Sequence, residues 1–297
     1  MARSCRYSPL HAFLPRWLIF LSAGLAACGG APDTGSTAGA LASRQLAAAT
    51  VDNRYQVTNL SLEGSSKGFV TPKGINASGQ VAGYIMAEGK KRAFMFDGST
   101  MRDLGTLGGE NSESVAINDA GQVAGNAQLP DGLYHAFRYD PDNVNGQIVD
   151  LDSRESSATG INASGHVIGE LIGGVPYIHD GGTLQTLGMA NSTAKAINDD
   201  DRVVGFFINS VPNSFFYDGN ALTFLKVLKY DSEDFFTSAS AIALNNAGQF
   251  ITTINFHLPS TRVAFTRAAI WNDINTSQLI GLPDESKSIA LDINDAT

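Results

Sequence analysis

Apolar and polar positions alternate along this chain in short runs, and the runs are interrupted repeatedly by one polar corner. A run ends in Ile-Asn, two small residues and a glycine follow, and a second run opens on Val. The phrase reads GINASGQVAG at 74–83, AINDAGQVAG at 116–125 and GINASGHVIG at 160–169. It returns as AINDDDRVVG at 196–205 and ALNNAGQFIT at 243–252, and it begins again as DINDAT at 292–297. Short runs rich in β-branched and aromatic residues, bounded by Asn and Gly, predict strands joined by tight turns.

The equivalent asparagines are Asn76, Asn118, Asn162, Asn198, Asn245 and Asn294, at intervals of 42, 44, 36, 47 and 49 residues. A repeat of about forty residues is the size of one four-stranded propeller blade. The first unit predicts strands ending at Asn76, over 80–85, over 91–96 and over 101–107. Asn at the head of the turn can cap the backbone two residues on. The glycine three residues later (Gly79, Gly121, Gly165, Gly248) can take positive φ. Asp201 fills that slot in the fourth unit, where an acidic side chain tolerates the left-handed region better than most. A second glycine (Gly83, Gly125, Gly169, Gly205) falls inside a strand and predicts a bulge or close backbone approach. Thr252 replaces it in the fifth unit, which predicts looser packing there. Third strands read RAFMFDG at 92–98, HAFRYDP at 135–141, PYIHDGG at 176–182, SFFYDGN at 214–220 and AAIWNDI at 268–274.

The fold expected is therefore all-β: a propeller of five or six four-stranded blades with an imperfect last blade. An open twisted β-repeat array is the alternative. Tyr55 to Leu60 resembles a lone fourth strand and Ser288 to Asn294 a lone first strand. The two could pair and close a ring, or the chain is cut short. Each unit depends on its neighbours, because a single hairpin is marginal in water.

The first fifty residues belong to a different chemistry. Arg3, Arg6 and Arg16 precede or begin an apolar run from Trp17 to Ala27. That run is shorter than the roughly 20 residues a spanning helix needs. It ends Leu25-Ala26-Ala27-Cys28, which resembles the lipobox of bacterial lipoproteins. The resemblance implies cleavage of 1–27, acylation of Cys28 and anchoring in a membrane through that residue. Gly29 after the cysteine implies, by the same resemblance, the outer membrane or cell surface. An ordinary signal peptide cut at an Ala-x-Ala-like site is the other reading. Residues 28–50, rich in Gly, Ala, Ser and Thr, read as a flexible tether, and 51–297 as the repeat domain.

Only Cys5 and Cys28 occur, both in or at the edge of the leader, so the mature body has no disulfide or cysteine metal ligand. The whole chain carries a formal charge of −9. Without the leader the body stands at about −12, which disfavours nucleic acid and anionic lipid as partners.

The phrase INDAGQVAG, the triplet His135-Ala136-Phe137 and DLGTLGG at 103–109 together resemble the bacterial HAF-repeat family of extracellular proteins, over roughly 55–297. The literal His-Ala-Phe survives in the second unit alone. The resemblance implies surface location and β-repeat structure and carries no catalytic residue.

Candidate chemistry is sparse. His135, His166, His179 and His257 fall at different repeat positions, with no metal-ligand spacing among them. Asp140, Asp142, Asn145 and Asp152 hint at a calcium loop, with Gly146 one place late and no Glu at the twelfth position. The alternative is a long hairpin loop. Asp199, Asp200 and Asp201 form an acidic turn tip. No catalytic residue and no cofactor is assigned. The expected function is a surface-anchored, non-catalytic binding scaffold for a saccharide or protein partner. The alternatives are a propeller lyase or hydrolase acting on extracellular polysaccharide, with His135, His166 and Asp140 as first suspects, and a purely structural repeat array.

Overall fold

The computed structural model describes residues 60, 68–143, 146–188, 190–207, 214–225, 235–258, 263–280 and 287–295. The leader, Cys28, the tether, residues 55–59 of the expected lone strand Tyr55–Leu60, and Asn145 lie outside them. Residues Leu60–Thr297 form one compact unit.

Every repeat folds as a four-stranded antiparallel meander. Blade 1 comprises β1 (Phe69–Ile75), β2 (Val81–Ala87), β3 (Lys90–Phe96) and β4 (Met101–Gly105). Blade 2 comprises β5 (Ser112–Ile117), β6 (Val123–Gln128), β7 (Tyr134–Tyr139) and β8 (Val149–Asp150). Blade 3 comprises β9 (Ser156–Ile161), β10 (Val167–Leu171), β11 (Val175–His179) and β12 (Leu184–Thr186). Blade 4 comprises β13 (Ser192–Ile197), β14 (Val203–Phe207), β15 (Ser214–Tyr217) and β16 (Leu222–Phe224). Blade 5 has β17 (Phe235–Leu244), β18 (Phe250–Leu258), β19 (Val263–Trp271) and β20 (Ser277–Ile280). Neighbouring strands pair in chain order within each sheet. The chain is a β-propeller. No helix among the described residues is long and apolar enough to cross a membrane.

The core is a series of layers between blades. Leu104 and Met95 of blade 1 pack with Val123, Ala127 and Phe137 of blade 2. Leu151 and Ala136 continue the pattern onto Val167 and Tyr177, and Leu187 onto Val203 and Phe215. Leu225 packs on Phe250 and Ile254. Leu60 lies against Val81, Ile85 and Phe94 of blade 1, the place Leu104 holds against blade 2. Burying these faces stabilises the stack by roughly 25 cal/mol per Å² of apolar surface.

The glycine inside the second strand of blades 1 to 4 is there for clearance. The facing first strand bulges, at Ser114/Ala116 in blade 2 for example. A Cβ on Gly125 would lie 2.3 Å from the Glu113 carbonyl oxygen and 2.4 Å from the Phe137 ring. In blade 5 the sizes are exchanged: Thr252 stands opposite Ala269 rather than an aromatic. Thr252 is fully buried, and the Trp271 indole N–H donates to its Oγ1 at 2.9 Å. The expected loosening of that unit is thus replaced by compensated packing. The fourth strand of blade 1 ends two residues earlier than 107, because Gly105 takes φ 85° and Thr106 Oγ1 turns to accept from Gly108 N–H and donate to the Gly109 carbonyl.

Ser288 to Asn294 occupies the first-strand place of a sixth blade. Ser288 Oγ accepts from Ala268 N–H at 3.0 Å and donates to the Ile280 carbonyl at 2.7 Å. Ser112 makes the same pair of bonds with Ala93 N–H and the Gly105 carbonyl.

Candidate functional site

The meander topology puts every first turn and every turn between the third and fourth strands on one face of the propeller. On that face the repeat asparagines form a relay from blade to blade. Asn76 Nδ2 donates to the Asn118 carbonyl at 3.0 Å, Asn118 to that of Asn162 at 2.9 Å, and Asn162 to that of Asn198 at 3.0 Å. Asn198 donates to the Asn245 carbonyl at 3.2 Å and Asn245 to that of Asn294 at 3.1 Å. All six turns border one axial cavity of about 310 Å³. The open-array alternative gives way to turns set around an axis.

Each of the first five asparagines also locks its own turn. Asn118 Oδ1 accepts from Gln122 N–H at 2.9 Å, and its Nδ2 donates to Gln122 Oε1 at 2.8 Å. Gly79, Gly121, Gly165 and Gly248 take φ between 77° and 81°, as the turn reading requires. Unit three departs from this, because His166 stands where units one, two and five have Gln. Its ring cannot supply the amide oxygen. The next blade does so instead: Asp201 Oδ1 accepts from Asn162 Nδ2 at 2.9 Å and lies 2.7 Å from His166 Nδ1. Asp201 sits at φ 61°, so the fourth turn, which lacks the glycine, bears a strained backbone in exchange for a needed acceptor.

Between blades 2 and 3, on the same face, lies a half-open cleft of about 490 Å³. Arg138, Asp140, Asp142, Val149, Asp150, Leu151, His179 and Gly181 are among the residues that line it. The cleft is wired to the axial ring. Gln122 Nε2 donates to Asp140 Oδ2 at 2.9 Å, and Arg138 Nη1 donates to the Gly165 carbonyl at 3.1 Å. His179 is only 6 % exposed, and the Gly181 N–H donates to its Nδ1 at 3.0 Å. The ring proton therefore sits on Nε2. Burial, and then the Arg138 charge, push the imidazole below its usual range, so His179 is neutral at neutral pH. No described residue bonds its Nε2.

The sequence suspects separate in space. His135 is buried, with Nδ1 2.9 Å from Asp150 Oδ2. Asp150 lines the cleft and His135 does not. His166 belongs to the axial relay, and His257 falls in β18 with its side chain outside the description. Three of the four calcium candidates are described. Arg154 engages both Asp152 oxygens at 2.6 and 2.9 Å, and Asp140 accepts from Gln122 and from Asp142 N–H. Asn145 lies outside the described residues. Among those described, no three His, Cys, Asp or Glu side chains group to hold a metal. The acidic tip over 199–201 is a relay component: Asp199 Oδ1 caps Ala163 N–H at 2.9 Å.

Two features went unread in the sequence. The serine six residues before the asparagine (Ser112, Ser156, Ser288) bridges to the preceding blade. The Ser-x5-Asn spacing was there to find it. An aspartate one or two residues past the third strand in blades 1, 3, 4 and 5 (Asp97, Asp180, Asp218, Asp273) caps the following hairpin. Asp180, for instance, accepts from Gly182 and Thr183 N–H at 2.9 and 2.7 Å. These backbone bonds lower all four carboxyls, Asp180 to about 2.

No family model and no curated protein matches the chain. Among solved structures it is similar to TolB from Acinetobacter baumannii, with 14 % identity and a TM-score of 0.43 over 70 % of this chain. It spans 54 %, about half, of that TolB chain. It is also similar to the SapL1 lectin in complex with alpha methyl fucoside, with 14 % identity and a TM-score of 0.40 over 73 % of this chain and 81 % of that one. The β-propeller domain of the Trilobed protease from Pyrococcus furiosus gives 9 % identity and a TM-score of 0.36 over 77 % and 87 %. The propeller assignment rests on the sheets of this chain.

Proposed function

We propose that this chain is an exported lipoprotein of the HAF-repeat type, anchored through Cys28 at the outer membrane or cell surface. Its propeller is a non-catalytic scaffold that binds a saccharide or protein partner on the face carrying the repeat turns. The supporting observation is a rigid face with an accessible cleft. Side chains there fix the backbone from blade to blade, and the cleft is lined by an imidazole whose N–H no described residue bonds. A pre-organised surface binds without paying the ordering cost that a mobile loop incurs. The acidic body keeps nucleic acid away.

The full chain, solubilised in detergent, is screened on arrays of glycans and envelope proteins, with polysaccharide turnover assayed in parallel. Saturable retention without turnover is expected, and turnover without stable retention overturns the scaffold reading. For the anchor, Cys28→Ser should release the protein from membranes. A variant that stays bound, together with wild type found unprocessed, overturns the lipobox.

A further inference from the structure

We propose that the cleft between blades 2 and 3 is a binding site for a neutral saccharide, gripped through a pair of adjacent hydroxyls. The proposal rests on the scaffold reading and assigns it a ligand class and a place. Its volume, about 490 Å³, falls within the range of roughly 300–1,000 Å³ typical of small-molecule sites.

The lining matches the hydrogen-bonding character of a diol. Each hydroxyl donates once and accepts twice, so a diol needs donors and acceptors side by side. The donors are the His179 Nε2–H and the Arg138 guanidinium. Of the latter, Nη1 alone has a described partner, the Gly165 carbonyl. The acceptors are the carboxylates of Asp142 and Asp150. Asp142 is exposed, and its side-chain oxygens bond no described residue. Asp150 is held in place by His135 at 2.9 Å and by Asp152 N–H at 3.2 Å. Val149, 51 % exposed, offers an apolar patch for ring C–H groups. Gly181 and Gly182 keep the floor low, since neither carries a side chain into the cleft.

Charge disfavours an anion, which would meet Asp140, Asp142 and Asp150 around one arginine. A hydroxylated neutral ring uses both kinds of group, and the imidazole N–H that opens on the cleft gains a partner.

The test titrates the full chain with methyl glycosides of neutral hexoses and 6-deoxyhexoses, and with methyl glucuronoside, by calorimetry and ligand-observed NMR. At least one neutral glycoside should bind in the millimolar range or tighter, with the glucuronoside at least fivefold weaker. Arg138→Gln and His179→Phe should each weaken it tenfold or more. Because His179→Phe also removes a loop contact, Asp142→Ala serves as the variant that folding cannot confound, and it should weaken binding at least threefold. Failure of every neutral glycoside, preference for the glucuronoside, or affinity unchanged in all three variants overturns the site. Array retention that these variants leave intact overturns the cleft and leaves the scaffold standing. No retention of any glycan or envelope protein overturns both.

Discussion

Asn118 is where the fold is most sharply testable. The residue is 6 % exposed and its side chain makes three hydrogen bonds of 2.8–2.9 Å, two within its turn and one to the Asn162 carbonyl of blade 3. Asn118→Ala deletes all three and leaves the Gln122 N–H and the Asn162 carbonyl without that partner. At about 1 kcal/mol net for each bond, the loss is about 3 kcal/mol, and more if the orphaned groups stay dry. For a unit of this size each kcal/mol moves the melting temperature by roughly 2–4 °C, so the expected drop is roughly 6–12 °C. Asn118→Asp sharpens the case. Its carboxylate keeps the bond from Gln122 N–H but points an anionic oxygen at the Asn162 carbonyl. The folded state then raises the pKa of the new acid above its unfolded value of about 3.9. The penalty is fully present above the folded pKa and disappears as pH falls through it, when the protonated group donates to the carbonyl. Urea denaturation followed by circular dichroism, for parent and both variants between pH 7 and pH 4, reads this directly. The gap between parent and Asn118→Asp should exceed that of the alanine variant at pH 7 and shrink towards pH 4. An alanine variant melting within 2 °C of the parent, or a gap indifferent to pH, would refute the relay as a source of stability.

Three other outcomes are expected. Asp201→Gly relieves a positive φ but strips Asn162 and His166 of their acceptor, so alone it should destabilise. Joined with His166→Gln it should recover, with a coupling of about 1–2 kcal/mol in a double-mutant cycle, and strict additivity would contradict the compensation. Gly125→Ala should cost more than 2 kcal/mol, because its Cβ meets a backbone oxygen and a buried ring that cannot both move, and a neutral melt would show the clearance to be unnecessary. Acid sensitivity follows from the hairpin caps. Their carboxyls sit below the unfolded value near 3.8, so their contribution is complete above that pH and is lost as pH falls towards about 2, the value reached at Asp180. Replacing Asp97, Asp180, Asp218 and Asp273 together by Asn should flatten the melting-temperature profile between pH 4 and pH 2.

The local rules of this molecule were written in its repeats. Asn and Gly at fixed spacing define a turn by short-range sterics and hydrogen bonding alone, and the glycine inside the second strand announces a close approach before the neighbour is known. Strand count per unit and the all-β class follow from the same phrase. The cleft could not be read that way, because Arg138, Asp150 and His179 belong to two units and meet through the lateral stacking of blades 2 and 3. His166 and Asp201 stand in different units, and nothing along the chain links them. They are one exchange across a blade boundary, 35 residues apart. The blade-5 substitution Thr252 looked like decay until Ala269 and Trp271 were seen beside it. Backbone conformation depends on neighbours along the chain and is therefore legible in sequence. Compensation, charge pairing and concavity depend on neighbours in space, which the packing of one sheet on the next alone decides.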